Sequence, residues 1–293
     1  MLTYLGFKTI QCLSKAVSPP VADRLCEYGG MVWAVTARGR RRAVRRNIRA
    51  IVSGRFRETP SEDEIDGWSR KVFSNFCRYL YDFFRHGRIT REWLADHADI
   101  EGAEHLAEAA ERGRGVVALT LHLGSWELGA RATAALGYAV SAVALDGKDR
   151  RVSRLFGAQR AAGGIDVIDV GKAARDVIRA LRRNEVVAFL ADFPPTDKGI
   201  AVSLFGRSVI ISRGPFNIAA KTGAAVVPCV MARLRGGRYR LVYEAPLPFG
   251  SESELAETAA QWVEKTIGGH PDQWCIFRDA FSAGAPLCTI DKL

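Results

Sequence analysis

Gly115-Val116-Val117-Ala118-Leu119-Thr120-Leu121-His122-Leu123-Gly124-Ser125-Trp126-Glu127-Leu128 is the stretch on which the fold turns. Val116 to Leu121 shows no alternation of polar and apolar residues, the pattern of a strand covered on both faces in a parallel sheet. His122 then falls at the carboxyl end of that strand. Open α/β sheets bind ligands at this edge, because loops leaving the strands enclose a crevice and the following helices point their N-termini into it. Gly124 permits a sharp turn, Ser125 is placed as an N-cap, and Glu127 falls in the first turn of the next helix, where a carboxylate suits the dipole.

On one continuous helix His122 and Glu127 would stand about 140° apart, but across a strand-to-helix turn they can meet. A carboxylate on one imidazole nitrogen fixes the tautomer and leaves the other nitrogen free to take a proton from a hydroxyl. Glu127 is therefore expected to hold and charge-stabilise a general base at His122. The same residues also have a plain explanation, a hydrogen-bonded structural His and an acidic first helical turn. Gly124-Ser125-Trp126-Glu127-Leu128 is not a Gly-x-Ser-x-Gly elbow, and no Walker loop or dinucleotide glycine fingerprint occurs, so no nucleotide or redox cofactor is expected.

Outward from this stretch, βα alternation runs from about Asp99. A helix is expected over 102–112, then strands at 116–121, 140–145, 165–170, 186–191, 225–231 and 239–244. Helices are expected at 126–136, 152–162, 172–183, 215–222 and 254–267. The fold class that follows is α/β, a layered, largely parallel sheet flanked by helices with an N-terminal helical cap. Residues 1–95 are expected to form a basic amphipathic helical region and 96–293 the α/β domain. Asp192 follows the apolar strand 186–191 and so shares the edge of His122, placed either to order the site or to bind the acceptor. Arg207 and Arg213, flanking Ser208-Val209-Ile210-Ile211-Ser212, are candidate anion contacts.

With 293 residues, 48% apolar and 25% charged, the chain can bury one sizeable core. Cys12, Cys26, Cys77, Cys229, Cys275 and Cys288 are scattered without metal-ligand spacing, so neither a disulfide framework nor a zinc site is expected. The formal charge is +10, and residues 1–57 hold twelve Lys and Arg against Asp23 and Glu27, so the whole excess lies in the N-terminal fifth. Such an arm points to an anionic surface. The absence of interleaved basic and aromatic residues later in the chain argues against nucleic acid.

Leu2, Leu5, Ile10, Leu13 and Val17 make an amphipathic helix that ends at Ser18-Pro19-Pro20 and is too short and too charged to span a bilayer. It either lies in the membrane interface or packs on the protein. Val44, Ile48, Ile51 and Val52 repeat along a second helix rich in arginine, which is expected to lie flat on anionic lipid. Thr59-Pro60-Ser61-Glu62-Asp63-Glu64 opens a third helix. Its stripe of Ile65, Trp68, Val72, Phe76, Tyr79, Leu80 and Phe83 is core, with a further use as the cover of an apolar groove.

His122-Leu123-Gly124-Ser125-Trp126-Glu127-Leu128 resembles the H-x-x-x-x-[DE] motif of glycerolipid and lipid A acyltransferases, in the form found in the late acyltransferases of lipid A biosynthesis. Arg46-Asn47-Ile48, Phe205-Gly206-Arg207 downstream of Asp192, residues 219–228, and His270-Pro271-Asp272-Gln273-Trp274 resemble other segments of that family in the right order. Together they cover residues 40–278. The chain departs from the pattern at Cys275-Ile276-Phe277-Arg278-Asp279 and at Asp192-Phe193.

The resemblance implies a glycerolipid acyltransferase-like fold and O-acyl transfer at the cytoplasmic face of the bacterial inner membrane, peripherally or shallowly anchored by the N-terminal helix. It implies acyl carrier protein or acyl-CoA as donor and a lipid A-type acceptor, with His122 and Glu127 as the catalytic pair. Arg160 would hold a phosphate or neutralise charge on the thioester oxygen. Acylation of a lysophospholipid, a phosphatidylinositol mannoside or an aryl-polyene lipid is the alternative within the class. A His/Glu acyl hydrolase and a non-catalytic membrane- or RNA-binding protein are the alternatives outside it.

Overall fold

The computed structural model describes residues 2–56, 59–145, 147, 149–170, 173–192, 194 and 199–282. Lys172, Phe193 and Cys288 lie outside them. The chain opens with helices α1 (Leu2–Ala16), α2 (Pro19–Thr36), α3 (Arg38–Phe56) and α4 (Glu62–Phe83). Ser18-Pro19-Pro20 does end α1, but the two prolines also start α2, where a missing N–H costs nothing because the first-turn amides have no intrahelical partner. Ser61 and Glu64 form the capping box that starts α4.

After α5 (Arg91–His97) the chain runs β1 (Ala98–Glu101), α6 (Ala103–Glu111), β2 (Val116–Thr120), α7 (Trp126–Ala135), β3 (Val140–Ala144) and α8 (Arg150–Ala162). It continues β4 (Ile165–Asp169), α9 (Ala173–Arg182), β5 (Val186–Leu190), β6 (Gly199–Leu204), β7 (Arg207–Ser212), α10 (Gly214–Thr222), β8 (Ala225–Arg233), β9 (Tyr239–Tyr243) and α11 (Glu252–Gly269). Seven strands form one sheet in the order β1-β9-β8-β2-β5-β3-β4. All neighbours are parallel except β8 and β9. The fold is therefore the expected α/β layered one with an N-terminal helical region.

The unbroken apolar run of β2 has the predicted cause. Val117 and Leu119 enter a core with Val187, Phe189, Val226, Phe216 and Val263, and Val116 and Ala118 enter another with Leu106, Leu128 and Ala132. Each large side chain buried in this way contributes on the order of 2 kcal/mol. Centrality puts β2 between β5 and β8, with Thr120 opposite Leu190.

The helices α2 and α5 and three strands go beyond the pattern read from sequence. β1 is a short edge strand, and β6 and β7 make a separate antiparallel hairpin. Its turn is Phe205-Gly206, both at positive φ (52° and 71°), the geometry of a type I′ turn. A non-glycine residue tolerates this conformation here because Phe205 is buried and its N–H donates to Glu264 Oε2 at 2.6 Å.

The expectation for α3 is corrected. Val44, Ile48 and Ile51 are buried inside the protein instead of facing lipid. Its arginines turn to protein carboxylates: Arg41 and Arg45 to Asp66, Arg45 and Arg49 to Glu62, and Arg46 to Asp279. The acidic first turn of α4 supplies the nearest partners. The aromatic stripe of α4 is core as expected, with Phe73, Phe76 and Phe83 buried against rings from α2, α8 and Phe277.

Candidate active site

The ladder of β2 and β5 runs past the strands, since Ala191 N–H donates to Thr120 O at 2.9 Å. Two parallel strands in register deliver their next residues to the same edge, and His122 and Asp192 meet there. His122 Nδ1 lies 2.9 Å from Asp192 Oδ1, and His122 N–H donates to Asp192 Oδ2 at 2.9 Å. Trp274 Nε1–H donates to the same oxygen at 2.8 Å.

The Asp192 side chain is fully buried, whereas that of His122 is 19% exposed. Burial alone would raise the Asp192 carboxyl, but the His122 charge, the imidazole bond, the Trp274 indole and the His122 backbone amide together hold it below the ordinary 3.8. Asp192 is thus an acceptor, and Nδ1 carries the proton. Nε2 is left bare, with no hydrogen-bond partner among the described residues, while the Trp126 indole stands edge-on to the ring at 5.4 Å. That is the arrangement of a general base whose tautomer is fixed by a buried carboxylate.

The sequence assigned this role to Glu127. In the structure the carboxylate on His122 is Asp192, and Glu127 is gripped by Arg160, whose Nε and Nη2 donate to its Oε1 at 3.0 and 2.5 Å. Glu127 sits in the first turn of α7, where the last turn of α8 brings the guanidinium to it. Both side chains are buried, 6% and 13% exposed. Burial lowers the Arg160 value, but the Glu127 carboxylate outweighs it and the guanidinium stays firmly charged. Tyr79 stacks on Trp126 beside this pair at 3.7 Å.

Gly124 makes the turn at φ 63°, and a Cβ there would meet Met231 O at 2.2 Å. Glycine is the residue that fits. Ser125 takes the N-cap position without capping, because its hydroxyl donates to Asp82 Oδ2 at 2.7 Å. Asp82 also accepts from Tyr239 and Arg233, so a buried polar network from α4 and the β8–β9 edge holds the turn.

The C-terminal segment finishes the site. Cys275 N–H donates to His122 O at 2.7 Å, Gly124 N–H to Gln273 O at 3.0 Å, and Leu123 bridges Trp274. Sequence reasoning had Gln273-Trp274 only as a family likeness and missed both the indole's bond to Asp192 and the role of Asp82. An indole donor eighty-two residues from its acceptor leaves no local signal.

The remaining candidates divide. Ser212 N–H donates to Ala191 O, so Arg213 follows directly at this edge, where its guanidinium pairs with Glu252 at 2.6 Å. Arg207 begins β7 at the far end of the hairpin, five strand residues or roughly 17 Å from Ser212 along the chain. The structure does not bring it to His122. A cavity of about 910 Å³ between α3, the hairpin and α11 is lined by Arg55, Glu257, Glu264 and Lys265, and by none of the four residues of the His122–Asp192 and Glu127–Arg160 pairs. Among the described residues no group of three or more His, Cys, Asp and Glu side chains is placed to hold a metal ion.

An imidazole at a parallel-sheet edge, ordered by a buried carboxylate, agrees with the family whose motifs the sequence carries. The model of bacterial lipid A biosynthesis acyltransferases matches residues 1–282. The chain belongs to that acyltransferase family. Relatives of this acyltransferase include the phosphatidylinositol mannoside acyltransferase of Mycolicibacterium smegmatis, 24% identical over 279 residues that cover 93% of the chain and 89% of the relative. A protein of the same name from Mycobacterium tuberculosis H37Rv is 26% identical over 207 residues, 68% of the chain and 66% of that relative. The acyltransferase is therefore a lipid acyltransferase, with a lipid acceptor and an acyl donor as substrates. None of its described helices is long and apolar enough to cross a membrane.

Proposed function

We propose that the chain moves a fatty acyl group from a thioester of acyl carrier protein or coenzyme A to a hydroxyl of a sugar-bearing lipid, at the cytoplasmic face of the bacterial inner membrane. The observation that carries this reading is the bare Nε2 of His122, on a side chain 19% exposed, set by the Nδ1 bond to buried Asp192. The acceptor hydroxyl gives its proton to Nε2 as its oxygen attacks the thioester carbonyl carbon. The tetrahedral intermediate then collapses, the carbon–sulfur bond breaks, and Nε2–H returns the proton to the leaving thiolate. No acyl-enzyme is required.

General-base assistance of this kind contributes about 10² to 10⁴-fold, with the rest from positioning and from stabilising the oxyanion. Asp192 orders the base, while Glu127 and Arg160 clamp the helix that carries the turn. Arg213 is the cation best placed for an anionic headgroup or carrier. A lipid A-type acceptor follows the family, and a phosphatidylinositol mannoside-type acceptor follows the named relatives.

Mass spectrometry of lipids from cells expressing the wild type, His122→Ala or Asp192→Asn at matched levels tests this. One lipid heavier by one acyl chain only with the wild type is the expected result, and its mass assigns the acceptor. Release of free fatty acid without any acylated lipid would convert the reading to a hydrolase. Identical lipidomes from folded proteins would remove it.

A further inference from the structure

Helix α2 is built the wrong way round for water. Its inner face is small, with Ala22, Gly30 and Ala34 buried, and a Cβ on Gly30 would lie 2.5 Å from the Ser74 backbone of α4. Its outer face is large and apolar: Val21, Leu25, Tyr28, Val32 and Val35 are 51 to 65% exposed. At 100° per residue these five fall within an arc of about 80°, along roughly 21 Å of helix. Leu5 and Leu13 of α1 add two more exposed apolar side chains, although Phe7 on its opposite face is buried against Phe156. A stripe of this kind is unusual on a protein surface that has only water to face.

The α2 helix cannot roll to hide it. The tight Gly30–Ser74 approach and the Arg78 bond to Asp23 Oδ1 at 2.6 Å fix which side points out. In the chain on and flanking the stripe, residues 15–42, the charge is mostly positive. Lys15, Arg24, Arg38 and Arg42 are exposed, and none has an ion-pair partner among the described residues; Glu27 is the exposed acid on α2. This is unlike Arg41, Arg45, Arg46 and Arg49 of α3, which are paired.

We infer that the outer face of α2 is the surface by which this protein seats on an anionic lipid bilayer. The apolar side chains enter the acyl boundary and the unpaired cations stay at headgroup level. Charge complementarity selects this occupant. A cationic rim around an apolar strip fits an anionic leaflet, whereas a second copy would bring the same positive charges face to face. The inference rests on the lipid-substrate reading only in supposing that the protein works at a bilayer.

The test is sedimentation of the full chain with large vesicles, either of phosphatidylcholine alone or of phosphatidylcholine with one-third phosphatidylglycerol. Wild type, Leu25→Asp/Val32→Asp, the milder Val21→Ser/Val35→Ser, and Ile210→Asp, an exposed apolar position on β7, are compared after thermal melts establish equal folding. The expected result is binding to the anionic vesicles by wild type and Ile210→Asp, with about tenfold or greater loss in the aspartate pair and a smaller loss in the serine pair.

Equal binding by all four overturns the proposal. So does a wild type that ignores vesicles yet sediments as a dimer that the aspartate pair dissolves, which would make the face an interface between copies. Binding needs no turnover, so loss of acyl transfer in His122→Ala with vesicle binding intact speaks to the catalytic reading alone.

Discussion

Asp192 and Glu127 are both buried carboxylates near one turn of chain, and they do different work because of what lies across from them. Asp192 ends a strand and meets an imidazole, an indole and a backbone amide. Glu127 starts a helix and meets a guanidinium. The first partner set leaves a nitrogen free to exchange protons. The second locks a charge pair that has no proton to give, since an arginine stays protonated. Sequence distance from His122 therefore says little about which acid meets it: the carboxylate five residues away pairs with an arginine, and the one seventy residues away pairs with the imidazole.

The largest effect is expected at the base itself. His122→Ala should lower acyl transfer by about 10³- to 10⁴-fold while the melting curve stays close to wild type, measured by turnover of a radiolabelled thioester. Asp192→Asn should follow with roughly 10²- to 10³-fold, because an amide can present its NH₂ to Nδ1 and favour the wrong tautomer. Here kcat should fall far more than KM changes.

Glu127→Ala should fall on the stability axis instead, by about 3 to 4 kcal/mol in denaturant unfolding, because it leaves Arg160 charged and buried alone. The double change Glu127→Leu/Arg160→Met should recover much of that. If Glu127→Gln abolished transfer in a protein as stable as wild type, the comparison would break and Glu127 would join the proton-transfer machinery.

Trp274→Phe should have a smaller effect, about 1 to 2 kcal/mol of stability, through the loss of one donor to a buried carboxylate. The smallest is a pH effect. Because Asp192 is held below its unfolded value of 3.8, its stabilising contribution is complete above that value and is lost as pH falls through the folded one. The gap in unfolding free energy between wild type and Asp192→Asn should thus begin to narrow only as pH falls below 3.8.

Much of the sheet could be read from sequence because its signal is local. The runs at 116, 140, 165, 186, 225 and 239 each begin a strand in the structure. The edge strand β1 carries Asp99 and Glu101 in four residues, so it shows no apolar run to read. The β6–β7 hairpin turns on Phe205-Gly206 instead of the Asn-Gly or Asp-Gly that announces such a turn. Within the site, His122 and the strand edge were legible. Asp192 was also legible at that edge, but not that it, instead of Glu127, meets the imidazole, because strand order and register are non-local facts. α2 was invisible for another reason: its apolar residues point outward, and a periodicity alone does not say which side is the inside.

The strap of Gln273, Trp274 and Cys275 across His122 and Gly124 joins two parts of the chain about 150 residues apart. Closing so distant a contact comes late in folding, after the sheet it caps has formed. On the ribosome the base would be in place, unoriented, while more than half the chain was still to be made. The site proposed around His122 is therefore complete only when the segment that carries Trp274 lies down.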